Sequence, residues 1–156
     1  MEDPGADQRA LFRRWPAGVS VVVAEVEGRR AALTVSSLIS LSLEPALVGI
    51  SIAQQASLHE LIRGADEWAV SILAGGQSHL AQHFARSIPP LVLWNGIDVR
   101  DDDPRLLAGA AGWLVARTVA EHVTGDHTFF VGEVQSIEHG AAPDSLTYVH
   151  HDYKAV

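Results

Sequence analysis

Apolar positions in this chain fall in short dense runs separated by polar turn residues, and most of the runs have strand character. Gly18 to Val26 holds Val19, Val21, Val22, Val23 and Val26, a β-branched run that predicts a strand. Glu27-Gly28-Arg29-Arg30 supplies a turn, and Ala31 to Ser40 returns as a second strand, so the pair reads as a hairpin. A short strand follows Glu44-Pro45 over Leu47 to Ile52. Another spans Glu67 to Leu73, with Trp68, Val70 and Ile72 alternating and Gly75-Gly76 breaking it. Trp113 to His122 and Thr128 to Ile137 read as two strands joined across Thr124-Gly125-Asp126, and Leu146 to Val149 as a last short one.

Helical spacing is rarer. Residues 6–14 predict a short helix that ends at Trp15-Pro16. Ser57 reads as the N-cap of a helix over Leu58 to Arg63, with Glu60 completing a capping box and Gly64 just past the end. Gln77 to Ser87 places Leu80, Ala81 and Phe84 at helical spacing and stops at Ile88-Pro89-Pro90. Residues 95–105 are a loop rich in Asp, Gly and Pro. About seven strands with hairpin turns and two interposed helices predict a mainly β fold, a β-barrel with short helices. No repeat, low-complexity segment or long linker divides the 156 residues, so one domain over 1–156 is expected.

Composition sharpens this picture. Apolar residues make up 47%, enough for a real core, while charged residues are 19%, low for a soluble protein, which points to part of the surface being covered by a second subunit. The formal net charge is −8, and no basic run exceeds the pairs Arg13-Arg14 and Arg29-Arg30. Nucleic acid and anionic membrane surfaces both need a concentrated basic face, so neither is an expected partner. With no cysteine, disulfides, thiolate nucleophiles, Fe–S clusters and zinc–thiolate sites are excluded. The acidic, polar start is unlike a secretory signal, and no window approaches the ~20 apolar residues of a spanning helix, so a cytoplasmic location is expected.

Few residues carry candidate chemistry. Thr34, Ser36 and Ser37 put three hydroxyls around a strand end, where they suit either local backbone bonding or a ligand's phosphate or ring carbonyl. Ser57 either caps its helix or faces a phosphate at the helix start. Gly125-Asp126 is explained by a turn alone, but the histidine that follows, His127, is not. His79 and His83 share a helix face without a third ligand in view, and read as surface histidines. Asp101-Asp102-Asp103 lacks calcium-loop spacing and reads as a solvated acidic loop. There is no Gly-x-Gly-x-x-Gly after a strand, no His-Glu-x-x-His and no Gly-x-Ser-x-Gly.

An ordered set of motifs goes further: Ala32-Leu33-Thr34-Val35-Ser36-Ser37, Leu41-Ser42-Leu43-Glu44-Pro45-Ala46-Leu47-Val48, Gln77-x-x-Leu80-Ala81-x-x-Phe84-Ala85, Gly125-Asp126-His127-Thr128 and Gly132-Glu133-Val134. The set resembles the flavin reductase-like family, over about residues 12–153. The resemblance implies a Greek-key, FMN-binding split β-barrel that forms a homodimer with flavin near the interface. It implies FMN or FAD as flavin and NADH or NADPH as co-substrate, hydride transfer to flavin N5, and delivery of reduced flavin to a partner monooxygenase. By the same resemblance Thr34, Val35, Ser36, Ser37, Ser51, Ile52, Ala53, Ser57, Phe84 and Ala85 bind the flavin. His127, Tyr148 and Tyr153 belong to the nicotinamide site, with His127 catalytic. Gln54 and Gln55 stand where family members often have a basic residue. That departure, with the bulky Trp94 and Trp113, keeps open a non-reductase flavin-binding barrel, either a binding protein or a secondary-metabolism enzyme. A flavin-free structural or ligand-binding barrel is the third reading.

Overall fold

A computed structural model describes residues 2–156. The chain opens with α1 (Pro4–Phe12), where the Asp3 carboxylate accepts from the Ala6 amide at 3.0 Å and Pro4 takes a first-turn position that needs no N–H. This cap starts the helix two residues ahead of the expected 6–14. Ten strands follow: β1 (Ala17–Gly18), β2 (Ser20–Val26), β3 (Arg29–Val35), β4 (Ile39–Leu43), β5 (Ala46–Ala53), β6 (Glu67–Ile72), β7 (Gly112–Thr124), β8 (His127–His139), β9 (Leu146–Val149) and β10 (Asp152–Ala155). The helices α2 (Ser57–Gly64) and α3 (Ser78–Phe84) lie on either side of β6 in the chain.

The molecule is mainly β. Seven strands form one antiparallel sheet in the order β3-β2-β6-β7-β8-β5-β4, and β1-β9-β10 form a second, three-stranded sheet. Strands β3 and β4 are neighbours in sequence yet stand at opposite ends of the large sheet, so the expected strand over Ala31 to Ser40 is broken at residues 36–38. The chain must leave the β2 ladder there to begin pairing with β5. No ladder joins β3 to β4, so the large sheet is open along that line. It is nevertheless strongly curled. Ala31 and Val35 of β3 and Ile50 and Ile52 of β5 share one buried cluster with Val22, Trp68, Leu114 and Phe130, and Leu58 and Ile62 of α2 fill its centre. A second cluster, on the other face of β2, joins Val19, Val21 and Val23 to Leu80, Ala81 and Phe84 of α3, with Leu93, Leu107 and Leu146.

Turn chemistry sets the register. β2 and β3 meet across Glu27 and Gly28, both at positive φ (50° and 78°), and β7 and β8 across Gly125 at φ 68° and Asp126, the Gly-first arrangement of a two-residue hairpin. The hairpin β9–β10 was not expected. Its two turn residues are His150 and His151, at φ 52° and 62°, a region that histidine enters more readily than most residues, although the usual hairpin pairs are built on Asn, Asp and Gly. Ser57 is not the N-cap of α2. Ala56 occupies that position without a side-chain bond, and Glu60 turns instead to His59 Nδ1 at 3.1 Å, so there is no capping box. Among the described residues no helix is long and apolar enough to cross a membrane.

Candidate functional site

Where β3 gives way to β4, three hydroxyl residues meet β5 and the head of β8. The Ser37 hydroxyl donates to the Ser51 carbonyl at 3.1 Å and accepts from the Ser51 amide at 3.0 Å, so it stitches the open line between the two ends of the sheet. Thr34 Oγ1 donates to the Ala81 carbonyl at 2.7 Å and ties β3 to α3. Ser36 is exposed and has no hydrogen-bond partner among the described residues. Two of the three hydroxyls therefore do the local bonding that their residue type suggests, and one is free for a ligand.

Three grooves run through this region. The middle one, about 270 Å³, is lined by Leu33, Thr34, Val35, Ser36, Ser37, Ser51, Ala53 and His127. On one side it shares Thr34, Val35 and Ser36 with a smaller groove, about 180 Å³, whose other walls include Ala85, Tyr148 and Tyr153. On the other it shares Ser51 and His127 with a groove of about 480 Å³ faced by Gln8, Arg9 and Phe12 of α1 and by Thr124 and Asp126. Ten of the expected site residues thus meet in one trough. Ile52 and Phe84 are fully buried, with Phe84 packed against Trp94 at 5.2 Å between ring centroids, and Val35 is buried in the first cluster while bordering the trough. Ser57 lines a separate groove with Arg29, Arg30 and Trp94.

His127 is the hinge of the trough. It follows the Gly125-Asp126 turn at the first position of β8, opposite Ala53 of β5 and Thr124 of β7, so its backbone is fixed on both sides. Its Nδ1 lies 2.7 Å from Asp126 Oδ1 and its side chain stays 43% exposed, which leaves Nε2 available to a ligand. The hydrogen bond from His127 holds the Asp126 carboxyl below its ordinary range. Behind it, Thr128 Oγ1 meets the buried His59 Nε2 at 2.7 Å, a contact from α2 that braces the same strand end. No motif signalled His59, Gln8 or Arg9. Gln8 and Arg9 line the trough from α1, and His59 supports β8 from α2 beneath it, placements that depend on tertiary packing.

At the other end, β9–β10 pairing sets Tyr153 directly opposite Tyr148, with ring centroids 5.0 Å apart, and β1 pairs Ala17 with Tyr148. Burial, and then the neighbouring Tyr148, push the Tyr153 phenol above its ordinary value. The acidic run at 101–103 is more than a solvated loop. Arg100 binds Asp102 and Glu138, each at 2.6 Å, over the Trp113 ring, and Arg105 binds Asp103 at 2.8 Å. His83 Nε2 is bound to the Leu93 carbonyl at 2.7 Å, and no group of three potential metal ligands occurs among the described residues.

Known proteins resemble this chain in sequence and fold. The chain is 34% identical over 147 residues to an NADH:FMN oxidoreductase of Rhodococcus erythropolis, covering 88% of this chain and 75% of that one. It is 32% identical over 147 residues to the reductase component of the 4-hydroxyphenylacetate 3-monooxygenase of Thermus thermophilus, covering 94% and 93%. The solved structure of the Streptomyces globisporus NADH:FAD oxidoreductase superposes with a TM-score of 0.90 at 29% identity, covering 99% of this chain and 95% of that one. The model of the flavin reductase like domain matches residues 12–156, and the chain belongs to that family.

Proposed function

We propose that this protein is an NADH-dependent flavin reductase whose reduced flavin serves a partner monooxygenase, and that the chain works as one domain built as a split barrel around the Ser37–Ser51 seam. The observation that carries the reading is the sharing of His127 and Ser51 by two adjoining grooves, room for two ligands that meet at one fixed imidazole. Relatives named as NADH:FMN oxidoreductase and as the reductase component of a monooxygenase support the same activity.

The residues fit a flavin. β3 ends the sheet, so its outer main-chain N–H and C=O groups have no strand partner and can meet the alternating donors and acceptors on a flavin ring edge. Thr34, Ser36, Ser37 and Ala53 are small enough for a planar ring to approach the backbone. A flavin held by these residues would supply the redox chemistry, as acceptor of a hydride from a reduced nicotinamide. The protein orients the rings and excludes water. Ser36 offers a free hydroxyl, Ser37 and Ser51 hold the seam, and His127, steadied by Asp126, positions the second ligand in the α1 groove. Tyr148 and Tyr153 close the opposite end. The protein is expected to act as a homodimer.

The test is titration of FMN and FAD into the protein followed by flavin fluorescence. Saturable binding of at least one at micromolar protein is expected, and binding of neither would end the proposal.

A further inference from the structure

Beneath the trough lies a buried polar pair that lines none of its three grooves. His59 is 6% and Thr128 3% exposed, and they meet at 2.7 Å between Nε2 and Oγ1. On its other side His59 Nδ1 lies 3.1 Å from Glu60 Oε1, and the ring packs edge-on to Phe130 at 5.6 Å between centroids. Leu58 and Ile62 of the same helix, and Phe130 of the same strand as Thr128, belong to the first apolar cluster. A carboxylate only accepts, so Nδ1 carries the proton, and in the neutral ring Nε2 accepts from the Thr128 hydroxyl. Two apolar side chains could fill this space with no polar group to satisfy. A buried hydrogen-bonded pair adds little net stability over such a filling, but leaving either member unpaired is costly, so it tolerates one arrangement.

The place of this pair in the strand gives it a consequence for His127. Residues 121–126, the tip of the β7–β8 hairpin, are all exposed, His127 is half-buried, and Thr128 is the first buried residue past the turn. Exposed hairpin tips open at little cost. The turn is tied to β5 through the main chain, where the Gln54 amide donates to the Asp126 carbonyl at 3.0 Å. His59 adds a side-chain tie on the inner face. Successive strand residues face opposite sides of a sheet, so Thr128 points into the core while the His127 imidazole points to the trough. A slip of one residue would exchange the two faces. The bond from Thr128 to His59 opposes that slip and holds the strand head from which His127 projects.

We propose that His59 is a positioning residue for hydride transfer, acting through Thr128 to hold His127 at the boundary of the two grooves. The proposal rests on the reductase reading above. Anaerobic single-turnover reduction of bound flavin by NADH, with flavin affinity measured alongside, tests it in wild type, His59→Leu, His59→Gln and the double variant His59→Leu/Thr128→Val. Each is measured with His127 intact and again with His127→Ala. His59→Leu should slow reduction about fivefold and leave flavin affinity within about twofold of wild type. In the His127→Ala background the same substitution should change the rate by less than about twofold, because the group it positions is gone. His59→Gln keeps a donor and an acceptor on the side chain and should recover part of the rate. The double variant leaves no buried polar group unpaired, so it carries the test where His59→Leu alone does not fold, and it should show the same loss with the same dependence on His127. An unchanged rate, an equal loss in both backgrounds, or a loss of flavin affinity as large as the loss of rate overturns the proposal and leaves the reductase reading standing. A wild type that binds flavin but passes it no hydride from NADH removes that reading and this inference together.

Discussion

His127 carries the most weight of any single side chain, because it borders both grooves and its orientation is set by Asp126 at 2.7 Å. Hydride transfer depends steeply on the placement of two rings, so one positioning group changes the rate without holding the flavin. His127→Ala should leave flavin affinity within a few-fold and slow anaerobic flavin reduction about tenfold, close to 1.4 kcal/mol in the barrier. Stopped-flow absorbance reads both quantities, and an unchanged rate would take His127 out of the mechanism. Tyr153 gives a second test at this scale. The chain has two tyrosines, and the Tyr153 phenol is raised above the ordinary value of 10.0, first by burial and then by Tyr148. A raised acid is favoured in its neutral form by folding. Its contribution to stability is therefore complete below the unfolded value and is lost as pH rises through the folded one. An ultraviolet titration should show a late-ionising component that Tyr153→Phe removes, and its persistence in the variant would contradict the burial argument. His127 stands out in the sequence because it follows a Gly-Asp turn, whereas Tyr148 and Tyr153 come only from the family resemblance. His59, Gln8 and Arg9 carry no such signal, since each acts across elements that only packing brings together.

At the level of elements, the strands with dense apolar or alternating patterns were legible: β2, β5, β6, β7 and β8 fall within a few residues of expectation. What failed had a physical cause in each case. The segment from Ala31 to Ser40 reads as one strand across the break at 36–38, because Ser36 and Ser37 suit an extended chain whether or not it stays in one ladder. Ser57 and Glu60 match a capping box, yet the cap is Ala56, and Glu60 is drawn to His59 Nδ1. The β9–β10 turn uses two histidines at positive φ in place of the Asn, Asp and Gly pairs that mark a two-residue hairpin. The motif Gly132-Glu133-Val134 owes its glycine to packing: a Cβ there would lie 2.5 Å from Trp68 Cζ2 and 2.8 Å from the Ala116 Cβ. Gly132→Ala should therefore destabilise the protein by about 1–3 kcal/mol, the usual cost of overpacking a filled site. Urea unfolding measures it, and a change under about 0.5 kcal/mol, the range of an uninvolved surface substitution, would show that Trp68 moves aside freely.

For the molecule as a whole, the mainly β class followed from strand count and turn spacing, while the strand order and the open seam could not, since pairing between the chain's distant parts leaves no local trace. Low charge pointed to a covered surface, and the structure shows where apolar residues remain in water. Ile39, Leu41 and Leu43 lie on the edge strand β4, and Val119 and Val123 on the part of β7 beyond its pairing with β6. An edge strand with such residues needs a cover. Light scattering at dilute micromolar concentration should give about twice the 16.7 kDa chain mass, and a monomer that still binds flavin would count against the dimer. In the proposed reaction a nicotinamide and a flavin meet for hydride transfer at the groove boundary marked by His127. Its most direct test is the visible spectrum of the flavin-loaded protein under anaerobic conditions, before and after NADH or NADPH. Rapid loss of the oxidised flavin band with at least one of them, far faster than for flavin and the same nicotinamide without protein, is the predicted result. A bound flavin that stays oxidised with both would contradict the account.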